Sequence, residues 1–173
     1  MQFDVAIVGA GLVGQAIAAA LSQGANDIRV ALVDPSEPLP AGEGSGVNDY
    51  DLRVSALTAQ SQAFLTDIGA WDLIPHQMLS GYTRMHVWDA EGTGSVTFNA
   101  TDLHVPALGH IVENRQTLTA LNKITESARS IERLQTAVQS FDNPDADGWV
   151  PVTLADGNTL KTGLLIGADG ALS

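Results

Sequence analysis

Uninterrupted apolar runs and short amphipathic stretches divide this chain into elements before any single motif does. Residues 4–8 carry Val5-Ala6-Ile7-Val8 without a polar break, the pattern of a parallel strand buried on both faces. A Gly-rich turn follows, and then residues 15–23, rich in Ala and Leu, predict a helix that Gly24 ends. Residues 28–33 are a second apolar strand, so the first thirty-four residues predict a βαβ unit. Between 35 and 51 the pattern is lost: Pro35, Pro38, Pro40, Gly42, Gly44 and Gly46 predict a long loop.

Helical spacing returns at 58–68 and is ended by Gly69. Residues 82–88 and 95–98 predict paired strands around the turn Asp89-Ala90-Glu91-Gly92, and 109–112 another short strand. Leu118, Leu121, Ile124 and Ala128 recur at helical intervals within a helix expected over 114–129. Strands are expected at 131–141 and 149–154 around a polar turn at 143–148. Asp156-Gly157 signals a tight turn before 159–161. A last apolar strand at 164–166 runs into Gly167-Ala168-Asp169-Gly170.

Composition narrows the function classes. The 173 residues are 45% hydrophobic, enough for a sizeable core, and the net charge is −12. With eight Lys and Arg in all, the chain lacks the basic face that a nucleic-acid partner requires. A phosphorylated small molecule is not excluded, because backbone N–H groups bind anions without side-chain charge. The absence of cysteine removes disulfides, thiolate catalysis and Cys-ligated metals. His76, His86, His104 and His110 have no ligand spacing, so no metal is expected. The apolar stretch at 5–21 is not a secretory signal, since Asp4 precedes it and the first basic residue is Arg29. A cytoplasmic location is the expectation.

The turn after the first strand reads Gly9-Ala10-Gly11-Leu12-Val13-Gly14, a G-x-G-x-x-G fingerprint. Gly9 permits the tight turn, Gly11 lets backbone approach a pyrophosphate, and Gly14 lets the helix pack close to the sheet. Asp34 ends the second strand about 20 residues on, at the spacing of the acid that binds ribose hydroxyls. A carboxylate there repels a 2′-phosphate, so FAD and NAD fit this position and NADP does not. The bland alternative is a Gly-rich turn with a solvated Asp34.

Further segments carry a resemblance. They are Asp51-Leu52-Arg53-Val54-Ser55-Ala56-Leu57, Gly69-Ala70-Trp71, Val112-Glu113-Asn114-Arg115, and Gly167-Ala168-Asp169-Gly170-Ala171-Leu172-Ser173. Together with the fingerprint, they make the chain resemble the N-terminal part of FAD-dependent aromatic hydroxylases of the p-hydroxybenzoate hydroxylase type. It is most similar to the ubiquinone-biosynthesis branch. The resemblance implies an α/β fold in which a Rossmann-like FAD-binding βαβ domain is interleaved with β-rich substrate-domain strands. It places the FAD-binding βαβ part at 1–80, inserted substrate-domain strands at 81–108, and a return to the FAD-binding domain with a β-meander at 109–173.

By position, the resemblance assigns Gly9, Gly11, Gly14 and Asp34 to the ADP half of FAD. It brings Arg53 near the flavin and phosphates, faces Asn114 and Arg115 toward the cofactor from a helix start, and gives Asp169 and Gly170 to the FAD and NAD(P)H motif. Enzymes of this type use NAD(P)H and O2 to hydroxylate an aromatic ring. A polyprenylated substrate would imply contact with a membrane surface or a ubiquinone-biosynthesis complex. Simpler roles stand beside these: a surface ion pair of Arg53 with Asp49 or Asp51, a solvated helix start at Asn114 and Arg115, and an ordinary turn at Asp169. No catalytic acid or base stands out. Members of the group continue well past an Asp-Gly motif, so the chain is expected to be part of a longer protein and inactive by itself. Another FAD-dependent oxidase or dehydrogenase, an NAD-dependent dehydrogenase and a non-enzymatic nucleotide-binding module remain as alternatives.

Overall fold

The computed structural model describes residues 1–24, 28–37 and 50–170. Most of the 35–51 loop expected from the sequence, with Asp49 in it, lies outside the described residues, as do the last three residues. In chain order the elements are β1 (Gln2–Val8), α1 (Leu12–Ser22), β2 (Val30–Val33), β3 (Val54–Thr58), α2 (Ala59–Asp67), β4 (Ser80–Tyr82), β5 (Arg84–Trp88), β6 (Ser95–Asn99), β7 (Gly109–Glu113), α3 (Asn114–Ser127), β8 (Ile131–Leu134), β9 (Val138–Phe141), β10 (Val150–Leu154) and β11 (Thr159–Gly167). Among the described residues no helix is long and apolar enough to cross a membrane.

The chain divides into two compact units, Met1–Glu43 with Leu118–Ser173, and Gly44–Thr117. The boundaries drawn from the sequence were 80/81 and 108/109. The first unit holds a six-stranded sheet in the order β8-β2-β1-β11-β10-β9. β8, β2, β1 and β11 run parallel, with Val5 opposite both Val30 and Leu164, and β10 and β9 continue the sheet antiparallel. From Val5 onward the alternation of strand side chains sends two apolar sets to opposite faces; Phe3 joins the Ala6 side, because Asp4 and Val5 N–H both donate to Arg29 O and the alternation is interrupted between them. Val5, Ile7, Val30 and Leu32 meet Ala18 of α1 on one face. Phe3, Ala6, Ala31 and Val33 meet Val152, Leu154 and Leu160 on the other. Each large aliphatic side chain buried this way contributes about 1.5–3 kcal/mol relative to exposure.

Helix α1 also meets α3 through a buried polar contact. Gln15 Nε2 donates to Asn122 Oδ1, and Thr125 Oγ1 donates to Gln15 Oε1 at 2.8 Å. Gln15 and Asn122 are each 1% exposed, so this pairing is what makes an amide tolerable there.

The second unit carries a three-stranded antiparallel sheet, β3-β7-β4, and a separate β5–β6 hairpin. Thr58 caps α2 by accepting the Ser61 N–H at 3.2 Å, and Gly69 ends the helix region at φ +74°.

The α/β reading is borne out, and the structure corrects four details of it. The single strand expected at 131–141 is two strands, β8 and β9, on opposite edges of the sheet. The break at 135–137 has neither Gly nor Pro to mark it. Residues 159–161 and 164–166 belong instead to one strand, since β11 pairs antiparallel with β10 at its start and parallel with β1 at its end. The segment before α2 is strand β3, paired with β7. Tyr82 belongs to β4, and the hairpin begins at Arg84.

Candidate dinucleotide site

At the end of β1 the backbone turns sharply at Gly9, φ +101°. Both neighbouring strands fasten this turn: Gly9 N–H donates to Val33 O at 2.8 Å, and Ala168 N–H donates to Val8 O at 2.7 Å. A Cβ at Gly9 would lie 2.4 Å from Ala168 O, and one at Gly14 would lie 1.8 Å from Gly9 O. The protein's own backbone therefore demands both glycines. Gly11 differs, because a Cβ there would meet nothing within 4 Å. It stands as N-cap of α1, with no side-chain cap and no acidic residue in the first turn. That leaves the positive end of the helix dipole open to an anion, and the absence of a Cβ leaves room for close approach.

Asp34 ends β2 beside this turn. Its Oδ2 accepts the Ala10 N–H at 2.6 Å; its Oδ1 accepts the Ser36 N–H at 2.8 Å and the Ser36 hydroxyl. Burial pushes the Asp34 carboxyl up, but the Ser36 hydroxyl, the Ala10 and Ser36 N–H groups and the Arg133 guanidinium outweigh it. The carboxyl is held below its ordinary value. Gly9, Asp34, Ser36, Val138, Leu165 and Asp169 are among the residues lining a cleft of about 1150 Å³. Gly170 follows Asp169 at φ +93°, a conformation that favours glycine.

The sequence-derived residues thus fall into two groups. Gly9, Asp34 and Asp169 line one cleft, with Gly11 and Gly14 in the turn and helix start beside it. Arg53, Asn114 and Arg115 come together in the second unit. There Asn114 N–H donates to Arg53 O at 2.9 Å, and Asn114 Oδ1 accepts from the Ser55 hydroxyl at 2.5 Å. Arg115 Nε donates to Glu113 Oε2 at 2.6 Å, and the same oxygen accepts Asp51 N–H at 3.3 Å. Asp51 Oδ1 accepts the backbone N–H of Arg53 at 3.0 Å.

Three contributors escaped the sequence reading. Ser36 carried a usable signal, since Asp followed two residues later by a hydrogen-bonding partner is an Asx turn. Glu113, 7% exposed, adjoins the Asn114-Arg115 pair, and the motif alone does not single it out. Arg133 had no local signal.

The fold is one that solved flavin-dependent monooxygenases share. A variant of PqsL from P. aeruginosa matches with TM-score 0.70 at 22% identity, over 100% of this chain and 44% of that one. The p-nitrophenol 4-monooxygenase PnpA from Pseudomonas putida matches with TM-score 0.70 at 18% identity, over 99% of this chain and 42% of that one. In sequence, the similar proteins include ubiquinone-biosynthesis monooxygenases and hydroxylases, as the resemblance implied. The chain is 35% identical to the ubiquinone biosynthesis monooxygenase COQ6 of Mus musculus, over 97% of this chain and 37% of that protein. It is 33% identical to the 3-demethoxyubiquinol 3-hydroxylase of Escherichia coli, over 98% of this chain and 42% of that protein. The ubiquinone hydroxylase UbiL of Rhodospirillum rubrum is also 33% identical, over 98% of this chain and 38% of that protein. The chain therefore spans about two-fifths of the length of these relatives. No family model matches it.

Proposed function

We propose that this chain holds the ADP half of FAD within a flavin-dependent monooxygenase that hydroxylates an aromatic ubiquinone precursor, with NAD(P)H as reductant and O2 as oxygen source. The observation that supports it most is the contrast among the glycines. Gly9 and Gly14 are required by the protein's own packing, whereas Gly11 borders open space at an uncapped helix start beside the Asp34 cleft. That is a glycine explained by what approaches it.

In this reading the N–H groups at the start of α1 bind the pyrophosphate and Asp34 accepts from a ribose hydroxyl. Asp169 and Gly170 border the same cofactor, and Arg53, Asn114 and Arg115 serve its flavin side. FAD, when bound, supplies the oxygen chemistry; the chain binds and orients it. Residues 81–108 provide substrate-domain strands. The substrate is a small aromatic molecule, and a polyprenylated one would bring the cytoplasmic protein to a membrane surface or into a ubiquinone-biosynthesis complex.

Titration of the chain with FAD and, separately, with NAD tests the reading, with flavin fluorescence and calorimetry as readouts. Saturable FAD binding that ADP displaces is expected. Binding of NAD without binding of FAD contradicts it.

A further inference from the structure

The turn that carries Asp34 is fastened from outside by two consecutive residues of β8. Leu134 O accepts the Asp34 N–H at 3.1 Å, and Arg133 Nη2 donates to Ser36 O at 3.1 Å. The 34–36 turn is thus tied at its first residue and at its third. Ser36, held in this way, gives both its N–H and its hydroxyl to Asp34 Oδ1. The Arg133 guanidinium also attracts the Asp34 carboxylate directly.

A carboxylate offers about four lone-pair sites. In Asp34 both Oδ1 sites are taken by Ser36, and one Oδ2 site is taken by Ala10 N–H. Among the described residues nothing else donates to Asp34, and one Oδ2 site is left. Arg133 Nε, meanwhile, is buried and has no hydrogen-bond partner among the described residues. A guanidinium retained for stability alone is expected to pair its buried donors, because an unpaired one is costly. Its ordering role lies at the other end of the group, on Ser36 and Asp34.

We propose, on the dinucleotide reading of Asp34, that Arg133 is a positioning residue for ribose recognition. By fixing the 34–36 turn it leaves a single Oδ2 lone pair of Asp34 for one ribose hydroxyl. Arg133 does not touch the ligand; it acts through Ser36 and Asp34.

The test compares ADP with 2′,3′-dideoxy-ADP by calorimetry on the 173-residue chain. The wild-type chain prefers ADP. Arg133→Gln lowers ADP affinity by about tenfold, the scale of one charge-assisted hydrogen bond, and leaves the dideoxy probe within about twofold. The preference therefore collapses. Arg133→Lys, which keeps the charge and a donor, has a preference between the two. Equal loss on both probes means a merely structural role and overturns the proposal; so does an unchanged preference. If Arg133→Gln does not fold, Arg133→Lys decides by the same comparison: reduced preference with intact dideoxy binding supports the proposal, and equal loss or none overturns it. A wild-type chain that binds neither probe, or both equally, overturns the dinucleotide reading and this proposal with it. Retained preference in Arg133→Gln overturns the proposal alone.

Discussion

The parallel sheet and the β5–β6 hairpin draw on similar apolar residues and end in opposite surroundings. All four residues of β2 are at most 1% exposed, while all five residues of β5 are exposed, Trp88 at 67%. Register explains part of the difference. Pairing Met85 with Phe98 and Val87 with Val96 gathers one apolar face on a two-stranded ribbon, and no described residue covers it. In the sheet the same kind of strand has hydrogen-bonded partners on both sides and a buried apolar cluster on each face. Apolar sequence selects the strand; its neighbours decide whether it is buried. An uncovered apolar face of this kind marks a contact surface more often than a core.

Substitutions in the two regions should differ in cost. The largest effect belongs to Gly14→Ala, whose new Cβ would lie 1.8 Å from Gly9 O and 3.3 Å from Ile7 Cγ2. With backbone in the way, a loss of about 3 kcal/mol or more is expected by urea denaturation. Leu154→Ala, at a site 1% exposed, removes about 2–5 kcal/mol. Its counterpart in the hairpin, Val96→Ala, stays within about 0.5 kcal/mol because Val96 is already 46% exposed. Equal losses at the two positions would end the contrast. Gln15→Leu leaves Asn122 and Thr125 without their α1 partner and costs about 1–3 kcal/mol, read from the same denaturation curves.

A smaller effect lies in pH. The folded Asp34 carboxyl sits below its ordinary value, so the stability it contributes is fully present above the unfolded pKa of about 3.9. That stability is lost as the pH falls through the lower folded value. The stability gap between wild type and Asp34→Asn should be flat near neutrality and should close below about pH 4. A gap that widens on acidification would reverse the sign.

Much of the candidate site was legible because its logic is local. Three glycines, one strand run and an acid at a set interval are read from thirty-four consecutive residues. The 135–137 break was not legible, because the chain changes sheet edge without a turn residue to announce it. Nor was the double pairing of β11, whose two halves satisfy different neighbours. Arg133 reaches Ser36 across 97 residues, and nothing near either position signals the contact. The Arg53, Asn114 and Arg115 cluster was named from motif resemblance, yet its buried partner Glu113 emerges only from packing.

On the proposed reading, Gly11 is kept free for a ligand while Gly9 and Gly14 are kept free for the fold. FAD titration of Gly11→Val beside wild type, with thermal unfolding of both, tests it most directly. The variant is expected to fold and to lose FAD affinity by at least about tenfold. A Gly11→Val chain that binds FAD as well as wild type would contradict it.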